Sequence, residues 1–558
     1  MRKPIAILMM LTLAMFVGSV GFGYLLFDDP DYTFLCPFVK DGLTLPNLTA
    51  AFSNLRHGGI YMPFTWLSYQ LTVMLFGHSP AAQHVVNVLL HVVNAALVMK
   101  LFERLGLGKS ALFAALVWAL HPQRAEAVCW IAARKELVWS FFALLALLAT
   151  LTDDAAARLR NDLAAFLFTL CACLSKPTAM VLPLAVWLLR RKDVVTKGRG
   201  DVVIGLGYLI LSLATALTAV YSQTHPEGMM VKGLFYAPLR ERLVNAVNAV
   251  GLYLAQTFVP WGVHLDCRWV HGLPLGWYIG LPFALGAALW WFWTVRKVGV
   301  TRWRSDGAVL NCVVFLLLLA PTLGIFGSFG EHARADRFLY LPSVFLLAAL
   351  FHSVTLSLRH TVTLTLIAAI VAFSIPVVFS YRSDYAVFSR TLEFDAENPR
   401  ALAHIGEARC AAGALDEGID MLRRSRLVRP SSGADARLAY ALMRRGASAD
   451  HSEIIALFAS NEVPDNAKAL EALGTAELAT LRYTAAEKHL SASVVSRSRT
   501  HSPEDALLKL GYVWQNTGRH RKAVEMFEKL LRSTRRDVAD AARAALDAIS
   551  EDESLILF

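Results

Sequence analysis

The chain has 558 residues, 56% of them hydrophobic, and a formal net charge of +10. So high an apolar fraction excludes an ordinary soluble enzyme and points to a membrane protein. Residues 1–381 carry 29 Lys and Arg against 18 Asp and Glu, whereas residues 382–558 carry 25 against 26. A nucleic-acid-binding face would place its basic excess on a soluble part, so no nucleic acid is expected as a partner.

The first element follows Met1-Arg2-Lys3 and is apolar over residues 4–27. It is too long for a signal-peptide core and no Ala-x-Ala-like site follows, so a retained span is predicted. Arg2 and Lys3 keep its start cytoplasmic. The span ends at Phe27-Asp28-Asp29-Pro30-Asp31, and Phe27 to Leu67 forms an external loop. Carboxylates at a membrane face are costly without a task such as general base, metal ligand or ion site.

Residues 81–102 return to the cytoplasm. Segments 110–121 and 137–151 form a pair, as do 163–174 and 178–190; each is short for a ~30 Å hydrocarbon core. Short spans are tolerated where helices end at a cavity inside the protein. Arg190, Arg191, Lys192, Lys197 and Arg199 mark one cytoplasmic loop, and Arg296, Lys297, Arg302 and Arg304 a second. Residues 202–222 cross between them. For both basic loops to lie inside, residues 243–260 form an interfacial or re-entrant helix and 277–295 crosses back. Spans 308–329, 338–358 and 361–381 follow. The fold class expected is therefore all-α: a polytopic helical bundle of about eleven spans over 1–381, a connector over 382–397 and a soluble α-solenoid over 398–558, outside the cytoplasm.

The tail repeats. Gly406 and Gly474 stand two tetratricopeptide periods of about 34 residues apart. Units open at Asn398-Pro399 and Asn466, and the clearest holds Gly511-Tyr512, Gly518, Ala523 and Phe527. The stretch 434–465 fits the repeat poorly. Stacked helix pairs present a concave groove suited to an acceptor protein or peptide; capping or dimerising the protein is the alternative.

Three charged segments interrupt the apolar part on the predicted external side. They are His121-Pro122-Gln123-Arg124-Ala125-Glu126 with Arg134-Lys135-Glu136, Lys176 in Leu174-Ser175-Lys176-Pro177, and Glu331-His332-Ala333-Arg334-Ala335-Asp336-Arg337. Any one is more often a solvated loop, and Lys176 alone reads as a snorkelling lysine. Three on the face that bears Asp28 and Asp29 suggest a site for a charged substrate at the membrane surface. His91 and Asn94 read as interhelical hydrogen bonds. The seven cysteines match no zinc or redox spacing.

The ordered set Phe27-Asp28-Asp29, Tyr61-Met62-Pro63-Phe64-Thr65-Trp66, Asn87-Val88-Leu89-Leu90-His91, His121-Pro122 through Glu136, Leu174-Ser175-Lys176-Pro177 and Ala335-Asp336-Arg337-Phe338-Leu339-Tyr340 resembles the TMTC-type protein O-mannosyltransferases and their bacterial relatives. Phe64 departs from the Leu common in that family. The resemblance implies a GT-C glycosyltransferase fold and a membrane enzyme, in a bacterial inner membrane, with a catalytic acidic pair in the first external loop. It implies a hexose, mannose by analogy, moved from a polyprenyl-phosphate-linked donor to a hydroxyl, with protein Ser or Thr acceptors reaching the site through the repeat groove.

That chemistry suits the residues. An inverting displacement needs one carboxylate as base, for which Asp28 or Asp29 stands ready. The phosphate leaving group needs cations, for which Lys176, Arg134, Lys135, Arg334 and Arg337 are the candidates. His121, Glu126, Asp336 and Tyr61 are expected in support. A divalent metal ion on Asp28 and Asp29 stays open as a cofactor, with no third ligand evident. The competing reading is a non-enzymatic membrane-anchored repeat scaffold for envelope assembly.

Overall fold

The computed structural model describes residues 2–556 except 56, 153–156, 191–198, 224–237, 261, 266, 269–276, 299–306, 326–331, 354–359, 460–465 and 497–501. Arg191, Lys192 and Lys197 of the first basic loop, Arg302 and Arg304 of the second, and Glu331 lie outside the described residues. The chain divides into two compact units, Met1–Arg390 and Thr391–Phe558. The segment expected as a connector contains the helix Asp384–Phe394.

In the first unit, four helices among the described residues join span length to span hydropathy: Lys3–Gly21, Pro80–Arg104, Val202–Gln223 and Thr361–Ser380. They make this a multi-pass membrane protein. The count corrects the eleven crossings expected. The apolar helices Gly108–Leu120, Pro177–Arg190, Gly307–Thr322 and Pro342–His352 are shorter, and at ~1.5 Å per residue fall short of a ~30 Å core. The cause is local. His121-Pro122, Lys176-Pro177 and Leu341-Pro342 place a proline where a helix would continue, removing a donor and fixing φ. Of residues 243–260, all but the last two lie in the helix Leu239–Phe258, which buries Asn245, Asn248 and Gln256. Extended pairing among the described residues is confined to Cys267–Arg268 against His332–Arg334, antiparallel.

Breaking helices inside a protein leaves carbonyls without partners. The helix Pro80–Arg104 answers them with a buried polar stripe, Asn87, His91 and Asn94, at helical spacing. Asn87 Nδ2 donates to the carbonyls of Val128 and Trp130, each at 3.3 Å. His91 Nε2 lies 3.0 Å from the Ala119 carbonyl. Asn94 Nδ2 donates to Leu137 O at 3.0 Å. These are the interhelical bonds expected of His91 and Asn94, and they hold the short helices in register beneath the charged segments.

The second unit is built of helix pairs: Pro399–Ala411 with Leu415–Val428, Ser432–Arg445 with Ser448–Phe458, Ala467–Ala479 with Tyr483–Val495, Glu504–Asn516 with His520–Leu530, then Arg536–Ile556. The poorly matching stretch is thus itself a helix pair. Its first helix ends at Gly446, whose φ of 72° is the left-handed conformation glycine adopts freely. Leu438, Leu442, Ile454 and Phe458 join one core with Ile419 and Leu473 of the neighbouring pairs. The repeat glycines permit close helix approach. A Cβ on Gly474 would stand 2.6 Å from Leu490 Cγ, and one on Gly511 2.3 Å from Phe527 Cε1.

Candidate active site

The first loop folds back on itself directly after the first span. Asp28 is the half-buried residue before the one-turn helix Asp29–Tyr32. Asp29, next to it, is fully buried. Its Oδ2 accepts from Leu25 N and its Oδ1 from Ala132 N, both at 2.8 Å. Burial pushes its carboxyl up to about 7, against those two hydrogen bonds. Asp384 helps fix the same loop, its Oδ2 accepting from Leu26 N at 3.0 Å.

Three charged segments meet beside this loop. Lys176 Nζ donates to Glu136 Oε1 at 2.5 Å, and Arg337 forms a buried ion pair with Glu126. Aromatic rings lie between the cations. Phe338 has Lys176 Nζ at 5.1 Å and Arg337 Cζ at 4.7 Å from its ring. Trp130 has Arg337 Cζ at 5.0 Å and Lys135 Nζ at 5.9 Å. Lys135 Nζ sits 4.3 Å over the Tyr32 ring and donates to Tyr32 Oη at 2.9 Å and Ala132 O at 3.0 Å. Its partners are neutral, unlike those of Lys176 and Arg337. Burial pulls both lysines down to about 8. The charge of half-buried Asp28 favours the protonated forms of Lys135 and Arg337.

Other residues singled out in the sequence take structural positions. Arg134 is fully buried and has four of its donor contacts occupied: Nε to Asn87 Oδ1 at 2.7 Å, Nη1 to Thr72 Oγ1 at 3.0 Å and Ser68 O at 3.3 Å, Nη2 to Gln83 O at 2.7 Å. It lies 4.4 Å from the Tyr69 ring. A guanidinium so engaged locks helices together. Arg334 donates to Gln256 Oε1 at 2.7 Å and stands 3.9 Å from Asp336. Asp336 is itself buried, and burial raises its carboxyl to about 7. His121 accepts from Gln123 N at 3.3 Å and lines a small cavity with Arg124 and Thr257. Tyr61 donates to Phe52 O at 3.0 Å, closing the first loop.

Glu136, Tyr32 and Trp130 belong to the cluster and were not singled out as site residues. Glu136 and Trp130 carry a usable signal, since both fall inside the segment that runs from His121 to Glu136. Tyr32 carries none. As for a metal, no group of three or more His, Cys, Asp or Glu side chains suited to an ion occurs among the described residues. Both Asp29 oxygens accept backbone N–H groups.

No family model matches the chain. Among characterised proteins it matches human Protein O-mannosyl-transferase TMTC3, 34% identical over 96 residues, 17% of this chain and 10% of that protein. It matches mouse Protein O-mannosyl-transferase TMTC2 at 40% over 102 residues, 17% of this chain and 12% of the relative. Protein O-mannosyl-transferase F38B6.6 of Caenorhabditis elegans matches over 433 residues at 22%, 73% of this chain and 60% of the relative. The chain is a distant relative of proteins named O-mannosyl-transferases. The matched segment spans about a tenth of the length of the first two relatives. Among solved structures, yeast Tom70 aligns over 80% of this chain and 93% of its own at 12% identity, with a TM-score of 0.21, too low for a shared fold.

Proposed function

We propose that the chain is a GT-C-type membrane glycosyltransferase that moves a hexose, mannose by analogy with its relatives, from a polyprenyl-phosphate carrier to a hydroxyl of a protein acceptor. Asp28 is the base. As the acceptor oxygen attacks C1 of the sugar, Asp28 takes its proton; the bond from C1 to the phosphate oxygen breaks and the sugar inverts. The departing phosphate gathers negative charge, which Lys135, Arg337 and Lys176 offset in a site of low dielectric. Asp29 positions the loop. Glu126 and Glu136 hold Arg337 and Lys176 in place. The helix-pair unit presents the acceptor, on the extracytoplasmic side.

The observation that carries this reading is the buried cluster of Lys135, Lys176 and Arg337 around the Trp130 and Phe338 rings, beside the loop that bears Asp28 and follows a span-length apolar helix. A scaffold needs no such arrangement. The test is transfer by the purified full chain from polyprenyl-phosphate mannose to a Ser/Thr peptide. Inverted product from wild type and none from Asp28→Asn supports it. Absence of transfer from any polyprenyl-phosphate hexose, with unchanged glycans in a deletion strain, would leave the scaffold.

A further inference from the structure

The Trp130 side chain is buried, 4% exposed, and its indole N–H has no acceptor. A buried Trp usually finds one, and leaving a donor unsatisfied costs about 1–3 kcal/mol. The rest of the residue is tightly held. Its carbonyl accepts from Asn87 Nδ2 at 3.3 Å, and Asn87 Oδ1 in turn accepts from Arg134 Nε at 2.7 Å. Its ring packs 5.2 Å from Phe27, the residue before Asp28. Arg337 and Lys135 lie against the same ring. An unpaired, rigid, neutral donor thus stands between two cations and the loop that carries the base. Such a group cannot be satisfied by those neighbours, which are themselves donors; it needs an oxygen acceptor brought in from outside.

We propose that the Trp130 indole N–H is a ligand-binding donor that hydrogen-bonds a non-bridging phosphate oxygen of the lipid-linked substrate. This rests on the glycosyltransferase reading above and adds a recognition group to it. The cations supply charge without direction. The indole supplies one directed donor, which fixes how the phosphate turns its oxygens and therefore where C1 sits relative to Asp28.

The test compares wild type with Trp130→Phe, which keeps a ring for Phe27, Arg337 and Lys135 and removes the N–H together with part of the indole's volume. Two probes are used on the full chain in detergent: polyprenyl-phosphate mannose and sugar-free polyprenyl monophosphate. Loss of a hydrogen bond to a charged acceptor should weaken binding of both probes by about 10- to 100-fold, measured on the folded fraction. Weakening confined to the mannosylated probe would overturn the phosphate assignment and place the donor on the sugar. Equal affinity for both probes would overturn the proposal altogether. If wild type bound neither probe, the glycosyltransferase reading itself would fail, which is a separate outcome. Should the variant not fold, wild type carrying ¹⁵N-indole tryptophan decides: a downfield shift of an indole N–H on adding polyprenyl monophosphate supports the assignment, and no responding indole signal overturns it.

Discussion

Asp29 and Ala132, 103 residues apart in sequence, are joined by a 2.8 Å hydrogen bond from the Ala132 N–H to Asp29 Oδ1. The other carboxylate oxygen holds Leu25 N. Asp29 thereby staples the first loop to the segment that supplies Trp130 and Lys135. The proposed mechanism gives the two adjacent aspartates separate tasks.

Replacing each by asparagine should separate those tasks. Asp28→Asn is expected to lower kcat by about 10²–10⁴-fold, the usual worth of a general base, with an unchanged unfolding midpoint. In Asp29→Asn one amide nitrogen must face a backbone N–H, which removes an acceptor and sets two donors together. The expected cost is about 1–3 kcal/mol, read as a lower Tm accompanying lost activity. Equal Tm for both variants would contradict the staple.

The lysines predict an alkaline limit. Burial lowers Lys135 and Lys176 to about 8. Each is charged below that value and neutral above it, so the attraction for a donor phosphate is present at pH 7 and fades between pH 7 and 9. The donor KM should rise across that window. Lys135→Met should raise KM at pH 7 and flatten the rise, because Lys135 has only neutral partners. A KM independent of pH up to 9 would remove the lysines from the phosphate site.

Arg134 should behave as structure. Its guanidinium geometry reaches Asn87, Thr72, Ser68 and Gln83 together, which a lysine cannot reproduce. Arg134→Lys is expected to lower Tm while leaving the donor KM of the folded fraction unchanged. A selective rise in KM at wild-type Tm would return Arg134 to the binding site.

In the second unit, Gly511→Ala sets a Cβ into the ring of Phe527. Overpacking of this kind costs about 1–3 kcal/mol. Faster proteolysis of the 504–530 region is expected, and its reversal in a Gly511→Ala, Phe527→Leu double variant would confirm that the ring is the obstacle. Gly518→Ala opens no such clash, since nothing lies within 4 Å, but its φ of 73° is strained for alanine.

Topology is checked by reporter fusions at residues 195 and 450. The basic composition around 195 predicts a cytoplasmic signal, and the acceptor-presenting role predicts the opposite side for 450. The same side for both would refute the orientation assigned to the helix-pair unit.

Sequence alone determined what depends on neighbours along the chain. The apolar run before Asp28 ends where the charges begin, and the prolines after His121, Lys176 and Leu341 stop helices by local sterics. The glycines at 406, 474 and 511 mark the repeat register because helix pairs must approach closely there. Helix length was misjudged, since a run of apolar residues does not reveal how early a buried polar turn cuts it. Tertiary structure decided everything that depends on partners distant in sequence. The Arg337–Glu126 pair lies 211 residues apart and the Lys176–Glu136 pair 40. Adjacent aspartates look alike in sequence, yet a single turn of backbone buries Asp29 on Ala132 and leaves Asp28 half-buried. Arg134 and Lys135 are likewise neighbours, but successive residues on a helix point about 100° apart, so Arg134 meets Asn87 and Gln83 while Lys135 meets Tyr32.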